Sequence, residues 1–196
     1  MSRKKFNISI LGESQVGKTS LAELLIGNSF NQNNLTTLGI ENYYKDKEID
    51  GNMYKFHMFD TEGKEKYKSV SASTIQIADG FVLVFDVSIK ETLDLIDNWI
   101  KFIKKYTDIK EKVIIIIGNK IDKEDRQVSE EEGRKYAESN NFKYFETSCK
   151  KNIGIEKAFD EIFKDVYELN KNLEKDRITI ENNTKPNKRF CTCSKK

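Results

Sequence analysis

The chain has 196 residues and a mass of 22.8 kDa, enough for one domain with one sizeable core and a tail. Lys plus Arg is 34 and Asp plus Glu is 32, a net charge of +2 that argues against a histone-like or dedicated nucleic-acid-binding domain. One histidine and three cysteines, Cys149 far from the other two, argue against a closed zinc site or a disulfide scaffold and point to a reducing cytosolic setting.

Met1 to Phe6 is basic with no apolar region after it, so no export signal is expected. Phe6 to Leu11 reads as a strand ending in Gly12, and Ser20 to Ile26 as a helix with Leu21, Leu24 and Leu25 on one face. Phe30 to Gly39 is polar and reads as a loop. Ile40 to Ile49 and Met53 to Phe59 flank Asp50-Gly51-Asn52, a hairpin turn signal. Phe81 to Val87 and Val113 to Ile117 are continuous apolar runs, as expected of strands buried on both faces. Between them Leu93, Ile96, Ile100 and Ile103 form a helical stripe, beside which Trp99 reads as packing. Glu130 to Glu138 reads as a helix whose acidic first turn suits the helix dipole. Phe142 to Phe145 is a last strand. Ile155 to Leu173 is a long helix burying Ala158, Phe159, Ile162, Phe163, Val166 and Leu169. Six strands alternating with helices predict an α/β fold: a mostly parallel, mixed sheet in which the hairpin makes one strand antiparallel, flanked by helices on both faces. Residues 1–174 are assigned to this domain and 175–196 to a flexible basic tail. From Lys185 onward the chain carries +5 and no acid, leaving the rest at −3.

After the first strand comes Gly12-Glu13-Ser14-Gln15-Val16-Gly17-Lys18-Thr19, a G-x-x-x-x-G-K-[ST] loop between strand and helix. The glycines let several backbone N–H groups converge, and the helix N-terminus adds positive potential, so the loop from Ser14 to Ser20 predicts phosphate binding. Lys18 reaches the β- and γ-phosphates, and the Thr19 hydroxyl can ligate Mg²⁺. Asn119-Lys120-Ile121-Asp122 follows a buried parallel strand, where α/β proteins bind ligands. A carboxylate accepting two N–H groups selects guanine over adenine; Asp122 can make that contact, Asn119 can tie the loop down, and the Lys120 stem can pack along the base. The last strand ends in Thr147-Ser148-Cys149-Lys150 on the same sheet edge, with Cys149 read as a small residue whose backbone N–H matters rather than a redox centre.

Taken in order, Gly12 to Thr19, Thr37, Asp60-Thr61-Glu62-Gly63, Asn119 to Asp122 and Thr147 to Lys150 resemble the Ras-like small GTPases over about residues 4 to 173, most closely the Rab branch. Thr36 to Ile40 and Lys66 to Val70 are similar to the two Rab switches. The resemblance implies a P-loop small G domain binding GTP or GDP with Mg²⁺. It implies that Phe30 stacks on guanine, that Ser148, Cys149 and Lys150 complete the base pocket, and that Thr37 and Asp60 join Thr19 around Mg²⁺. It further implies that the Gly63 N–H senses the γ-phosphate, and that the switches, about 30–42 and 60–78, meet effectors, exchange factors and activating proteins.

The departures from the family concern catalysis and partner choice. Lys18, Thr37 and Gly63 keep their places around the γ-phosphate. Lys64, however, replaces the glutamine that orients the attacking water. An ammonium donates but cannot accept, so it cannot align that water. Glu62 replaces alanine beside the phosphates, and Gln15 stands where most relatives have glycine. The positions of the usual Phe, Trp and Tyr effector cluster hold Asn42, Phe59 and Thr74. Cys191-Thr192-Cys193 matches the spacing of prenylated Rab tails, although three residues follow it. The leading expectation is a GTP/GDP switch in vesicle traffic, cytoplasmic and held peripherally on an intracellular membrane by its lipidated tail, with slow hydrolysis. The alternatives are a GTP-binding scaffold that hardly hydrolyses, and a P-loop kinase or ATPase without guanine preference. His57 reads as an ordinary strand residue.

Overall fold

The computed structural model describes residues 4–31, 39–61 and 68–184, and of 68–71 and 176–184 the backbone alone. In chain order the elements are β1 Lys5–Leu11, α1 Lys18–Leu25, β2 Ile40–Ile49, β3 Asn52–Thr61, α2 Lys68–Ile77, β4 Gly80–Asp86, α3 Lys90–Asp94, α4 Ile96–Tyr106, β5 Val113–Asn119, α5 Glu130–Ser139, β6 Lys143–Thr147 and α6 Ile155–Thr184. The strands form one sheet in the order β2-β3-β1-β4-β5-β6. All neighbours are parallel except β2 and β3, the antiparallel hairpin expected from Asp50-Gly51-Asn52.

Helices cover both faces. On one, Leu21 and Leu25 of α1 and Phe159, Ile162 and Phe163 of α6 pack on Ile8, Val82 and Ile115. On the other, Ile75 of α2, Trp99 and Ile103 of α4 and Ala137 of α5 pack on Phe81, Leu83 and Ile116. Every residue of β4 is buried, which explains why its run is apolar throughout rather than alternating. Each of its Val, Leu and Phe side chains removed from water contributes about 1.5–3 kcal/mol.

Three features differ from the sequence reading, and a fourth, α2, falls in a stretch to which it gave no element. α1 begins at Lys18, so the phosphate-loop lysine lies in its first turn. The stripe from Leu93 to Ile103 is two helices, α3 and α4, joined at Leu95. α2 is a helix although Lys68 to Ile77 is rich in Ser, Thr, Val and Ile, which are weak helix formers; burial of Thr74, Ile75 and Ala78 against the sheet decides its conformation. α6 continues through residues 175–184, which the sequence reading gave to the flexible tail. Its apolar periodicity fades there, but a helix already nucleated needs only one new hydrogen bond per residue to extend. Within its packed part Leu169 is half-buried, while Ile155 and Tyr167 join the core.

Candidate nucleotide-binding site

β1 has β3 on one side and β4 on the other, so the chain leaves the sheet in opposite directions around its carboxyl end. That is where an open α/β sheet forms a crevice, and the loop from Gly12 to Gly17 lies there. Gly12 (φ 146°) and Gly17 (φ 105°) adopt conformations that side chains rarely take. A Cβ on Gly12 would overlap the Val84 carbonyl oxygen, and one on Gly17 the Asn119 amide. Both glycines are therefore required by close approach as well as by backbone angle. Gln15, at φ 65°, is left-handed without being glycine, a strain of about 1–2 kcal/mol.

The ammonium of Lys18 arches back over this loop, donating to the carbonyls of Gly12 at 3.0 Å and Glu13 at 2.8 Å. Thr19 Oγ1 donates to Asp60 Oδ2 at 2.5 Å, bringing a hydroxyl from α1 to a buried carboxylate at the end of β3. Next to Asp60, the Thr61 hydroxyl donates to the Ile10 carbonyl at 2.9 Å and fastens β3 to β1. Two hard oxygen donors beside the glycine loop suit Mg²⁺.

Asn119 ends β5 and links three segments. Its Nδ2 donates to the Val16 carbonyl at 2.9 Å, and its Oδ1 accepts from Thr147 Oγ1 at 3.0 Å and from Cys149 Sγ at 3.6 Å. Lys120 Nζ donates to the Gln15 carbonyl at 2.6 Å and pairs with Asp86 Oδ2 at 2.7 Å. Burial alone would raise the Asp86 pKa, but hydrogen bonds from Lys120 and Ser88 outweigh it and hold the carboxyl below the usual range. Asp122 Oδ1 accepts from Ser148 Oγ at 2.5 Å, so its carboxylate is held from one side. Burial pushes the Cys149 thiol up to about 11, an environment for an inert thiol.

The structure thus brings together Ser14 to Ser20, Asp60, Asn119 to Asp122 and Ser148 to Lys150 along one sheet edge. Phe30 is partly exposed, beyond the end of α1. Thr37, Glu62, Gly63, Lys64, Cys191 and Cys193 lie outside the described residues. Of the altered effector positions, Asn42 Oδ1 sits 2.7 Å from His57 Nε2, Phe59 is buried against the His57 ring, and Thr74 is buried with its hydroxyl 3.2 Å from that of Ser9. Asp86 and Trp99 were not among the expected site residues, and Thr147 was named only as the start of the motif that ends the last strand. Asp86 had a usable signal, since it ends an apolar strand at the ligand-binding edge. Trp99 donates Nε1–H to Glu13 Oε1 at 3.1 Å, a contact no local pattern announces.

The sequence profile of the Ras family matches residues 7–168. The chain is 34% identical over 159 residues to Ras-related protein Rab-18-B of Danio rerio, covering 81% of this chain and 78% of that protein. It is 34% identical over 171 residues to Ras-related protein Rab-9B of Mus musculus, covering 85% of each. It is 32% identical over 165 residues to Ras-related protein RABA1b of Arabidopsis thaliana, covering 84% of this chain and 76% of the relative.

Proposed function

This chain belongs to the Ras family as a divergent Rab-like member, and we propose that it is a guanine-nucleotide switch of membrane traffic whose own GTP hydrolysis is slow. The observation that carries this reading is the double tie between base loop and phosphate loop, Asn119 to Val16 and Lys120 to Gln15. It gives one ligand a phosphate cradle and a guanine-selective carboxylate, Asp122, on one rigid edge. In this reading Lys18 and the N–H groups from Ser14 to Ser20 hold the phosphates. Asp122 reads the base, Asn119 and Lys120 brace the two loops, Phe30 stacks, and Ser148, Cys149 and Lys150 close the pocket. Thr19, Asp60 and, in the GTP state, Thr37 would hold Mg²⁺, which neutralises phosphate charge when bound. Nucleotide extracted from purified protein should be GDP or GTP, and GTP should displace it far better than ATP. Equal competition by ATP would sink the reading in favour of a P-loop kinase or ATPase.

Slow hydrolysis rests on Lys64. Lys18 and Gly63, as the family resemblance implies, would contact the γ-phosphate before and during attack alike, and such shared binding does not raise the chemical rate. The group that should act only on the attacking water is gone. Lys64→Gln, and more clearly Glu62→Ala with Lys64→Gln, should raise single-turnover phosphate release at saturating Mg²⁺ by at least tenfold with little change in GTP affinity. Wild type as fast as these variants would mean that another group positions the water. The same two residues favour a second reading, a GTP-bound scaffold that does not cycle. Effectors, exchange factors and activating proteins would meet the protein at residues 30–42 and 60–78. Lipid on Cys191 and Cys193 would place it on the cytosolic face of an intracellular membrane.

A further inference from the structure

Trp99, the chain's one tryptophan, lies in α4 with 2% of its surface exposed and Phe102 in edge contact at 6.2 Å. A buried indole N–H needs an acceptor. Here the acceptor lies outside the helix layer: it is the Glu13 carboxylate in the loop after β1, at 3.1 Å. Glu13 is bound at two points. Its side chain accepts from Trp99, and its backbone carbonyl accepts from Lys18 Nζ at 2.8 Å. Two hydrogen bonds therefore connect α4 to the ammonium at the phosphate cradle. A carboxylate in a loop that holds a polyanion is repelled by its own ligand unless it is turned away, and the indole N–H is the group that turns it. α4 also packs against α2, so the same helix touches the element that follows residues 62–67.

We propose, resting on the nucleotide-switch reading above, that Trp99 is a positioning residue of the phosphate loop. Its N–H fixes the Glu13 side chain, and through it the carbonyl that holds Lys18, so the pair slows nucleotide release. The full chain loaded with radiolabelled GDP tests this, with dissociation followed after a chase of unlabelled GDP and Trp99 emission recorded on the wild type and the two Glu13 variants. Glu13→Ala should speed GDP release by about tenfold, the order expected for one lost hydrogen bond to a charged group. Trp99→Phe should do the same, and the double variant should be no faster than the faster single one, because both remove one interaction. Glu13→Gln keeps an acceptor oxygen and should recover most of the wild-type rate. Trp99 emission should shift in Glu13→Ala and not in Glu13→Gln. If Trp99→Phe folds poorly, the two half-exposed Glu13 variants carry the test alone. Unchanged release in Glu13→Ala, or single effects that multiply in the double variant, overturns the proposal. If the wild type holds no guanine nucleotide, the functional reading fails and this proposal falls with it; a wild type that loads GDP normally while Glu13→Ala leaves its release unchanged overturns this proposal alone.

Discussion

At the residue scale, two positions in the site carry opposite consequences. Asp122 Oδ1 is held by Ser148 Oγ at 2.5 Å, which orients the carboxylate without occupying its other oxygen. Asp122→Asn keeps the size but turns one acceptor into a donor that, in the proposed base pocket, would face the guanine N–H groups. GTP affinity should fall by at least a hundredfold, an order expected when buried polar groups oppose each other. Xanthine nucleotides, whose 2-oxo group accepts from the new amide, should gain. Equilibrium titration with both nucleotides checks this, and unchanged GTP binding would remove Asp122 from the base pocket. Gln15 is a strained residue at φ 65°. Gln15→Gly relieves about 1–2 kcal/mol of left-handed strain but gives back part of it as unfolded-chain entropy. The net gain should be about 0.5–1 kcal/mol, seen as a Tm a few degrees higher. A lower Tm would show that the Gln15 side chain makes a contact worth more than the strain.

At the scale of elements, the hairpin of β2 and β3 places Asn42 opposite Phe59 and Tyr44 opposite His57. Tyr44 stacks on the His57 ring at 4.5 Å and Phe59 lies 4.0 Å away. Burial, and then the positive charge of Lys5, lower the His57 pKa from 6.5 to about 4. Between those values the unfolded chain binds a proton that the folded chain refuses, so stability falls as pH drops from 6.5 toward 4. The loss should be about 1–2 kcal/mol by pH 5. Urea unfolding of wild type and His57→Gln at pH 7 and pH 5 reads it, wild type losing more; equal losses would exclude His57 as the source. α2 and α6 show why elements are less legible than motifs. The β-branched and Ser-rich stretch of α2 has a weak helical signal that packing overrides, and α6 outlasts its apolar stripe because helix extension needs no core.

At the scale of the whole molecule, charge is split between a body at −3 and a segment after Thr184 at +5 that holds Cys191 and Cys193. Among the described residues no helix is long and apolar enough to cross a membrane. Basic residues near an anionic surface contribute about 1 kcal/mol each, and stable attachment takes a second signal. Cys191→Ser with Cys193→Ser keeps the charge and removes the thiols, and should move the protein from the membrane fraction to the cytosol. Identical fractionation of the two proteins would show that lipid on these cysteines is not the anchor. The six strands, the phosphate loop and the Asn119 to Asp122 loop were legible in the sequence, because each is a short pattern whose meaning depends on neighbours a few residues away. The strand order, the tie from Asn119 to Val16, the pairing of Lys120 with Asp86 and the reach of Trp99 to Glu13 were not. Those partners are far apart along the chain, and which buried donor meets which acceptor is set by sheet register and helix packing. Only the assembled fold contains that information.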